Sequence, residues 1–258
     1  MNILRILLML YFSVGYSLFL SARDTVNFSD TISSEQRHPN KAAGIISIAV
    51  PSAMVVYGAL SFKSDAIRQL DYSTKNELLE DNTMWYNGWD DYFQFFPVVA
   101  AFGMKLCGVK STHKLGEMAI LYAASNLLAG GIVYRTKVAT NRERPNGSNR
   151  LSFPSGHTAT AFVVAEFLHQ EYGDKSVWIS ISGYGIASLV GIARVYNNRH
   201  WVSDVVAGAG IGILSTKIVY LTYPCLQKTF GKKEKKYTSF IIPTYNEGKL
   251  GLSLTCIF

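Results

Sequence analysis

The sequence predicts an all-α fold, a multi-pass transmembrane helical bundle with six core helices, preceded by an N-terminal signal or anchor segment and followed by a small C-terminal β-hairpin. Three observations predict it. Only 17% of the 258 residues are charged while 48% are hydrophobic and 13% aromatic, and the charges cluster between long apolar stretches. That is the pattern of a chain whose solvent is largely lipid. Six apolar runs, at 43–62, 92–108, 116–135, 155–172, 176–193 and 204–222, each come near the length that crosses a bilayer's hydrocarbon core. Small residues recur within them, most plainly in Ala207-Gly208-Ala209-Gly210-Ile211-Gly212, and small residues let helix backbones approach where lipid supplies no hydrophobic driving force.

In chain order, the run 6–22 follows Arg5 and ends in Ser21-Ala22-Arg23, so 1–22 reads as a signal peptide or an uncleaved anchor. A polar segment covers 23–42, the six-helix domain 43–222, and a basic linker with the hairpin 223–258. Polar stretches at 23–41, 63–91 and 228–249 are expected outside the bilayer and hold the mean hydropathy to +0.13. The run 155–172 carries Glu166, His169 and Gln170 near its end, so its neighbours are expected to shield it. The tail switches to two-residue alternation at Leu250, Leu252 and Leu254 after the turn signal Tyr245-Asn246-Glu247-Gly248-Lys249, which predicts a hairpin with a packing or recognition role. Three cysteines, Cys107, Cys225 and Cys256, are an odd number without metal-ligand spacing and are expected to be small buried hydrophobes rather than a disulfide framework or a zinc site.

Charge excludes one class and sets an orientation. The net charge of +7 is not arranged as a basic stripe interleaved with aromatics, so nucleic acid is not the expected partner and anionic lipid is. Leaving Arg5 aside, the face formed by 63–91, 135–154 and 194–203 carries ten Lys and Arg, and the opposite face carries fourteen. Three of the ten have a chemical use. Positive charge is retained on the cytoplasmic side, so the first face is expected to point away from the cytoplasm. An ordinary signal peptide at 6–22 would invert this, so that segment is expected to cross in the opposite sense or not at all.

Three constellations fall on that first face. Lys137 is followed seven residues later by Arg144-Pro145, then by Pro154-Ser155-Gly156-His157, then by Arg194 with His200 six residues on and Asp204 four beyond. Two crossings separate their loops, so all return to one side of the membrane. A transferring phosphoryl group spreads negative charge over its oxygens, and Lys137, Arg144 and Arg194 can stabilise it. Ser155, Gly156 and His157 open a helix, where amides without intrahelical partners and the helix dipole favour an anion. Gly156 would let its oxygens approach the backbone. His200 and Asp204 share a helix face at i and i+4, so the carboxylate can orient one ring nitrogen and leave the other as a nucleophile. His157 is then available to protonate a leaving lipid oxygen.

The set Lys-x6-Arg-Pro, Pro-Ser-Gly-His and Arg-x5-His-x3-Asp across 137–204 resembles the type 2 phosphatidic acid phosphatase family. One position departs: Ala193 stands where that family usually has Ser before the arginine. The resemblance implies a six-helix core, metal-independent hydrolysis with no cofactor, His200 as nucleophile, Asp204 as its partner, His157 as acid, and Lys137, Arg144, Ser155, Gly156 and Arg194 as phosphate ligands. The wider pattern, with Asp90-Asp91-Tyr92, Gly173 and Asn197-Asn198-Arg199-His200-Trp201, is similar to bacterial members that resemble lipid A phosphatases. Vanadium-dependent haloperoxidases share the ligand set but are soluble and larger. An inactive lipid-binding relative is the reading from another class, and the intact His-His-Asp set argues against it. Among substrates, lipid A or a similar envelope lipid is expected, with undecaprenyl diphosphate and phosphatidylglycerol phosphate as alternatives. Trp85, Trp89 and Tyr92 mark the segment expected to discriminate among them, or to anchor at the interface.

Overall fold

The computed structural model describes residues 41–80, 88–230, 238–246 and 249–257. The expected segment 1–22, most of the polar stretch after it, Trp85 and the lysines at 232–236 lie outside these. Among the described residues the helices are α1 (Lys41–Leu60), α2 (Asp65–Glu80), α3 (Trp89–Phe93), α4 (Phe96–Leu106), α5 (Leu115–Thr140), α6 (Gly156–Tyr172), α7 (Val177–Tyr196) and α8 (Val202–Phe230), followed by strands β1 (Thr238–Asn246) and β2 (Lys249–Ile257). By contacts the chain divides into two compact units between Val219 and Tyr220. In the second unit β1 and β2 pair antiparallel, from Thr238 opposite Ile257 to Asn246 opposite Lys249.

Helix α6 is the centre of the first unit. Phe162, Ala161 and Ala165 pack with Ala187 and Val190 of α7 and Ala209 of α8, while Ala159 and Val163 pack with Ala129 and Val133 of α5 and Ile211 of α8. On the α4 side, Phe167 stacks on Phe102 at 5.8 Å and the Tyr172 hydroxyl donates to the Ala101 carbonyl at 2.8 Å. The glycine stripe of α8 is what allows this density. A Cβ on Gly208 would lie 2.6 Å from the Ser155 carbonyl oxygen, and one on Gly210 would lie 2.5 Å from that of Pro51.

The outside of the bundle is apolar. Ile120, Leu127 and Tyr134 of α5 and Trp178, Ile181 and Ile192 of α7 are exposed, an arrangement that suits lipid and would be an aggregation surface in water. Helices α5, α7 and α8 as far as Gln227 are long and apolar enough to cross a membrane, and α1 with α2 makes a fourth candidate bent by 85°. The six runs read as crossings all fall on helices, but these are unequal in length. The run 92–108 is broken, because Pro97 has no amide to donate to the Phe93 carbonyl, leaving α4 with 11 residues. Gly108, at φ +86°, then ends α4: its amide donates to the Lys105 carbonyl and that of Val109 to Met104, a closure that needs a left-handed residue. Helix α6, with 17 residues, is enclosed rather than lipid-facing, and its polar end is satisfied inside. Glu166 is fully buried against Lys217 at 2.8 Å, Gln170 and the Tyr184 hydroxyl, and Glu171 accepts from the His113 amide at 3.0 Å.

The cysteine expectation is also corrected. Cys107 and Cys225 are exposed free thiols, since Cys107 terminates α4 at the edge of the bundle rather than packing inside it.

Candidate active site

The loop between α5 and α6, the turn between α7 and α8, and helices α2 and α3 converge at one end of the bundle. Helix α5 ends at Asn141, which takes a left-handed φ of 45°, and helix α7 runs into Asn198 at φ 53°; asparagine tolerates this conformation. The turn closes as the amides of Arg199 and His200 donate to the Arg194 carbonyl at 3.0 and 3.2 Å. It carries His200 to the start of α8 and puts Asp204 in that helix's first turn.

His200 and Asp204 are both buried. Nδ1 of His200 faces Oδ2 of Asp204 at 3.4 Å, longer than a standard hydrogen bond, and no closer acceptor among the described residues takes that nitrogen. The carboxylate is held tightly by other groups. Its Oδ2 accepts from the Ser152 hydroxyl at 2.5 Å and the Trp201 amide at 3.0 Å, and its Oδ1 accepts from Arg142 Nη1 at 2.8 Å. Burial, reinforced by the charges of Lys137 and Arg144 and opposed by Asp204, pushes the His200 pKa down to about 4. The ring is therefore neutral, and nucleophilic, at physiological pH.

The predicted cations surround this pair. Lys137 Nζ donates to the carbonyls of Leu151 at 2.7 Å and Ser152 at 3.1 Å, which ties the end of α5 to the loop before α6. Burial first, and then the guanidinium of Arg194, hold the Arg144 pKa below its ordinary value, the signature of a cation crowded by like charge. Arg144 Nε is buried without a hydrogen-bond partner among the described residues.

Ser155, Gly156 and His157 open α6 as expected. The Ser155 hydroxyl, however, is engaged as a helix cap: it accepts from the Thr158 amide at 3.4 Å and the Thr158 hydroxyl at 2.9 Å, while its own amide donates to the Asp204 carbonyl at 3.0 Å. A Cβ on Gly156 would make only ordinary contacts with Val133 and Lys137, at 3.8 and 3.9 Å. The imidazole of His157 is about one-third exposed, and its Nε2 lies 2.8 Å from Oδ1 of Asp91. The same oxygen lies 3.3 Å from Arg194 Nη1, so one carboxylate oxygen bridges the expected proton donor and an expected phosphate ligand.

Three further charged residues, Arg142, Asp71 and Asp91, belong to the site without standing in its sequence motifs. Arg142 is the hub: besides Asp204 it donates to the Ser203 hydroxyl at 2.8 Å, the Ser61 hydroxyl at 3.2 Å and Asp71 Oδ2 at 2.7 Å. Asp71, itself 2% exposed, also accepts from the Ser203 amide at 3.0 Å and hydroxyl at 2.6 Å, clamping α2 onto the start of α8. The third is Asp91, which the sequence offered only as part of a wider pattern. For Arg142 the available signal was its place between Lys137 and Arg144 in a loop that already held two expected anion ligands.

The chain compares with known proteins as follows. The family model described as the PAP2 superfamily matches residues 118–228. The chain is 45% identical over 132 residues to a lipid A 1-phosphatase from Porphyromonas gingivalis, covering 51% of this chain and 30% of that protein. It is 38% identical over 96 residues to phosphatidylglycerophosphatase B from Bacillus subtilis, covering 34% of this chain and 42% of that protein. The chain thus spans less than half the length of either relative. Among solved structures, a transmembrane PAP2-type phosphatidylglycerolphosphate phosphatase from Bacillus subtilis is 22% identical, covers 74% of this chain and 98% of its own, and superposes with a TM-score of 0.45.

Proposed function

We propose, from the match of residues 118–228 to the PAP2 superfamily model, that the chain is a membrane-embedded phosphatase that removes a phosphate monoester from a lipid through a phosphohistidine on His200. The observation that carries this reading is the buried, neutral His200 facing a carboxylate fixed by three donors, with Lys137 and Arg144 close enough to depress its pKa. With Nδ1 turned to Asp204, Nε2 is the nitrogen that attacks phosphorus. The P–O bond to the lipid breaks, and the leaving oxygen takes a proton from His157. Charge developing on the transferring group meets Lys137, Arg144, Arg194 and the Gly156 amide, and Asp204 stabilises the imidazolium. Water then attacks the phosphohistidine, giving its proton to His157, and inorganic phosphate departs. Both histidines return to their starting states, so no external reactant other than water is needed.

Every cation in this scheme is a side chain, and the Gly156 amide adds a backbone donor, so it calls for no metal or cofactor. The active face is assigned to the periplasm on the fourteen-to-ten distribution of positive charge, and the relatives' names make lipid A and phosphatidylglycerol phosphate the substrates to test first. The experiment is phosphate release by the purified full-length chain in detergent from lipid A, phosphatidylglycerol phosphate, undecaprenyl diphosphate and phosphatidic acid, with and without EDTA. Release from at least one lipid, insensitive to EDTA and blocked by vanadate, is expected. No release from any of them would favour an inactive lipid-binding protein, and loss in EDTA restored by a divalent metal would overturn the metal-free scheme.

A further inference from the structure

Next to the nucleophile lies a cavity of about 410 Å³, walled by Phe62, Arg68, Tyr72, Lys75, Arg144 and Trp201. It exists because the chain turns by 85° between α1 and α2 and because Asp71 then pins α2 to Arg142 and Ser203, holding α2 beside the catalytic loops. Two of its walls belong to the site itself: Trp201 follows His200 directly, and Arg144 is an expected phosphate ligand. An occupant of the cavity would therefore lie beside a phosphate held at His200.

Two features of the lining define its occupant. One side is aromatic: the exposed Tyr72 ring meets the Trp201 indole edge-on at 5.1 Å, and that indole is itself buried, its nitrogen donating to the Glu143 carbonyl at 2.9 Å and its ring covered by Arg142 at 5.5 Å. An exposed tyrosine ring held in this way can take the C–H surface of a sugar ring by dispersion while leaving its hydroxyls to polar neighbours. The other feature is cationic. Arg142, at the cavity floor, is already balanced by Asp71 and Asp204. Arg68, exposed on α2, and Lys75, whose Nζ sits 5.6 Å from the Trp201 ring centroid, have no carboxylate within salt-bridge distance among the described residues, and Glu143 is the only other acid in the lining. A glycerol or a bare prenyl phosphate would leave such a space largely unfilled and these charges unmatched.

We propose that this cavity is a head-group subsite for a sugar ring carrying a second anionic group, which sits against Tyr72 with its charge on Arg68 and Lys75, so that the enzyme selects anionic phosphoglycolipids over small-head-group lipid phosphates. The inference rests on the catalytic reading of the neighbouring His200, and its test separates the two.

The full chain in detergent is assayed as wild type, R68A/K75A, K75A, K75R and Y72A on a lipid-linked glucosamine disaccharide bearing two phosphates and on phosphatidic acid. In the double variant the ratio of kcat/KM for the glycolipid to that for phosphatidic acid is expected to fall by about tenfold or more, as for the loss of charge-assisted contacts. The loss should fall in KM and be largely restored by K75R relative to K75A. In parallel, equilibrium binding of the glycolipid to His200→Ala, with and without R68A/K75A, reads the subsite without chemistry. A tenfold weakening there supports the subsite even if no variant turns over, in which case only the catalytic assignment fails. An unchanged selectivity ratio, or unchanged binding in the His200→Ala background, overturns the proposal.

Discussion

At the scale of single residues, the site is organised around Arg142 as much as around the two histidines. One guanidinium serves two buried carboxylates, Asp71 at 2.7 Å and Asp204 at 2.8 Å, so its removal leaves two buried charges without their cation. Arg142→Ala should therefore destabilise the fold by about 3–5 kcal/mol, the usual cost of breaking a buried pair, and abolish activity in whatever fraction remains folded. Arg142→Lys should keep the charge but lose the fork that reaches both acids. Thermal unfolding in detergent with phosphate release checks both, and wild-type behaviour of Arg142→Ala would remove the hub from the account. The pH dependence follows from His200. Its ring in the folded chain stays neutral until the pH falls to about 4, whereas the ordinary value is 6.5. Between those limits the unfolded chain binds a proton that the folded chain refuses, so this group lowers stability as pH falls from 6.5 towards 4. For activity, the acid limb of kcat/KM, corrected for the substrate's own second phosphate ionisation near about 6, should lie near 4, and a limb near 6.5 would mean a solvated ring. The eight candidate site residues, five expected phosphate ligands and three expected catalytic groups, were legible because they sit in short, ordered motifs. Asp71 and Asp91 were hidden because their partners lie 71 positions (Arg142), and 66 and 103 positions (His157 and Arg194), further along the chain, and no local pattern encodes such a pairing. For Asp91 the geometry predicts that Asp91→Asn lowers kcat on natural lipids more than on para-nitrophenyl phosphate, whose good leaving group needs less help from His157. Equal losses on both would assign Asp91 to Arg194 instead.

At the scale of elements, apolar runs located α1, α5, α6, α7 and α8, because each is long and bounded by polar turns. The run 92–108 is continuous in hydropathy but divided in structure, because Pro97 interrupts the hydrogen-bond ladder between α3 and α4. The bend between α1 and α2 was not legible as a bend, since its turn is a short hydrogen-bonded step at Ser61–Ser64 and its direction is fixed by Asp71 much later in space. The glycine stripe was legible, and its consequence is now specific. A methyl group on Gly208 would meet the Ser155 backbone oxygen at 2.6 Å, and that backbone cannot retreat without moving the start of α6 and its bond to Asp204. Gly208→Ala should thus lower both the Tm and the turnover. Gly130→Ala, where nothing lies within 4 Å, should leave turnover unchanged and hold or slightly raise stability, as expected for replacing a helical glycine. Equal effects of the two substitutions would remove the helix-contact argument.

At the scale of the whole molecule, the exposed apolar belt and the long helices identify lipid as the surroundings, while orientation rests on charge alone. The sequence distributes Lys and Arg fourteen to ten between the faces, and Asn146, exposed in the loop after Arg144, reports which side that loop occupies. In a variant lacking Cys107, Cys225 and Cys256, Asn146→Cys should react with a membrane-impermeant thiol reagent in intact spheroplasts, and labelling only after lysis would put the active face in the cytoplasm. The direct test of phosphoryl transfer through His200 is rapid-quench trapping of acid-labile phosphoenzyme from a radiolabelled lipid phosphate. The account predicts a phosphohistidine that maps to residue 200, forms in the wild type, accumulates when His157→Ala slows its hydrolysis and is absent in His200→Ala. Trapped phosphate that persists in His200→Ala, or that maps to another residue, would contradict it.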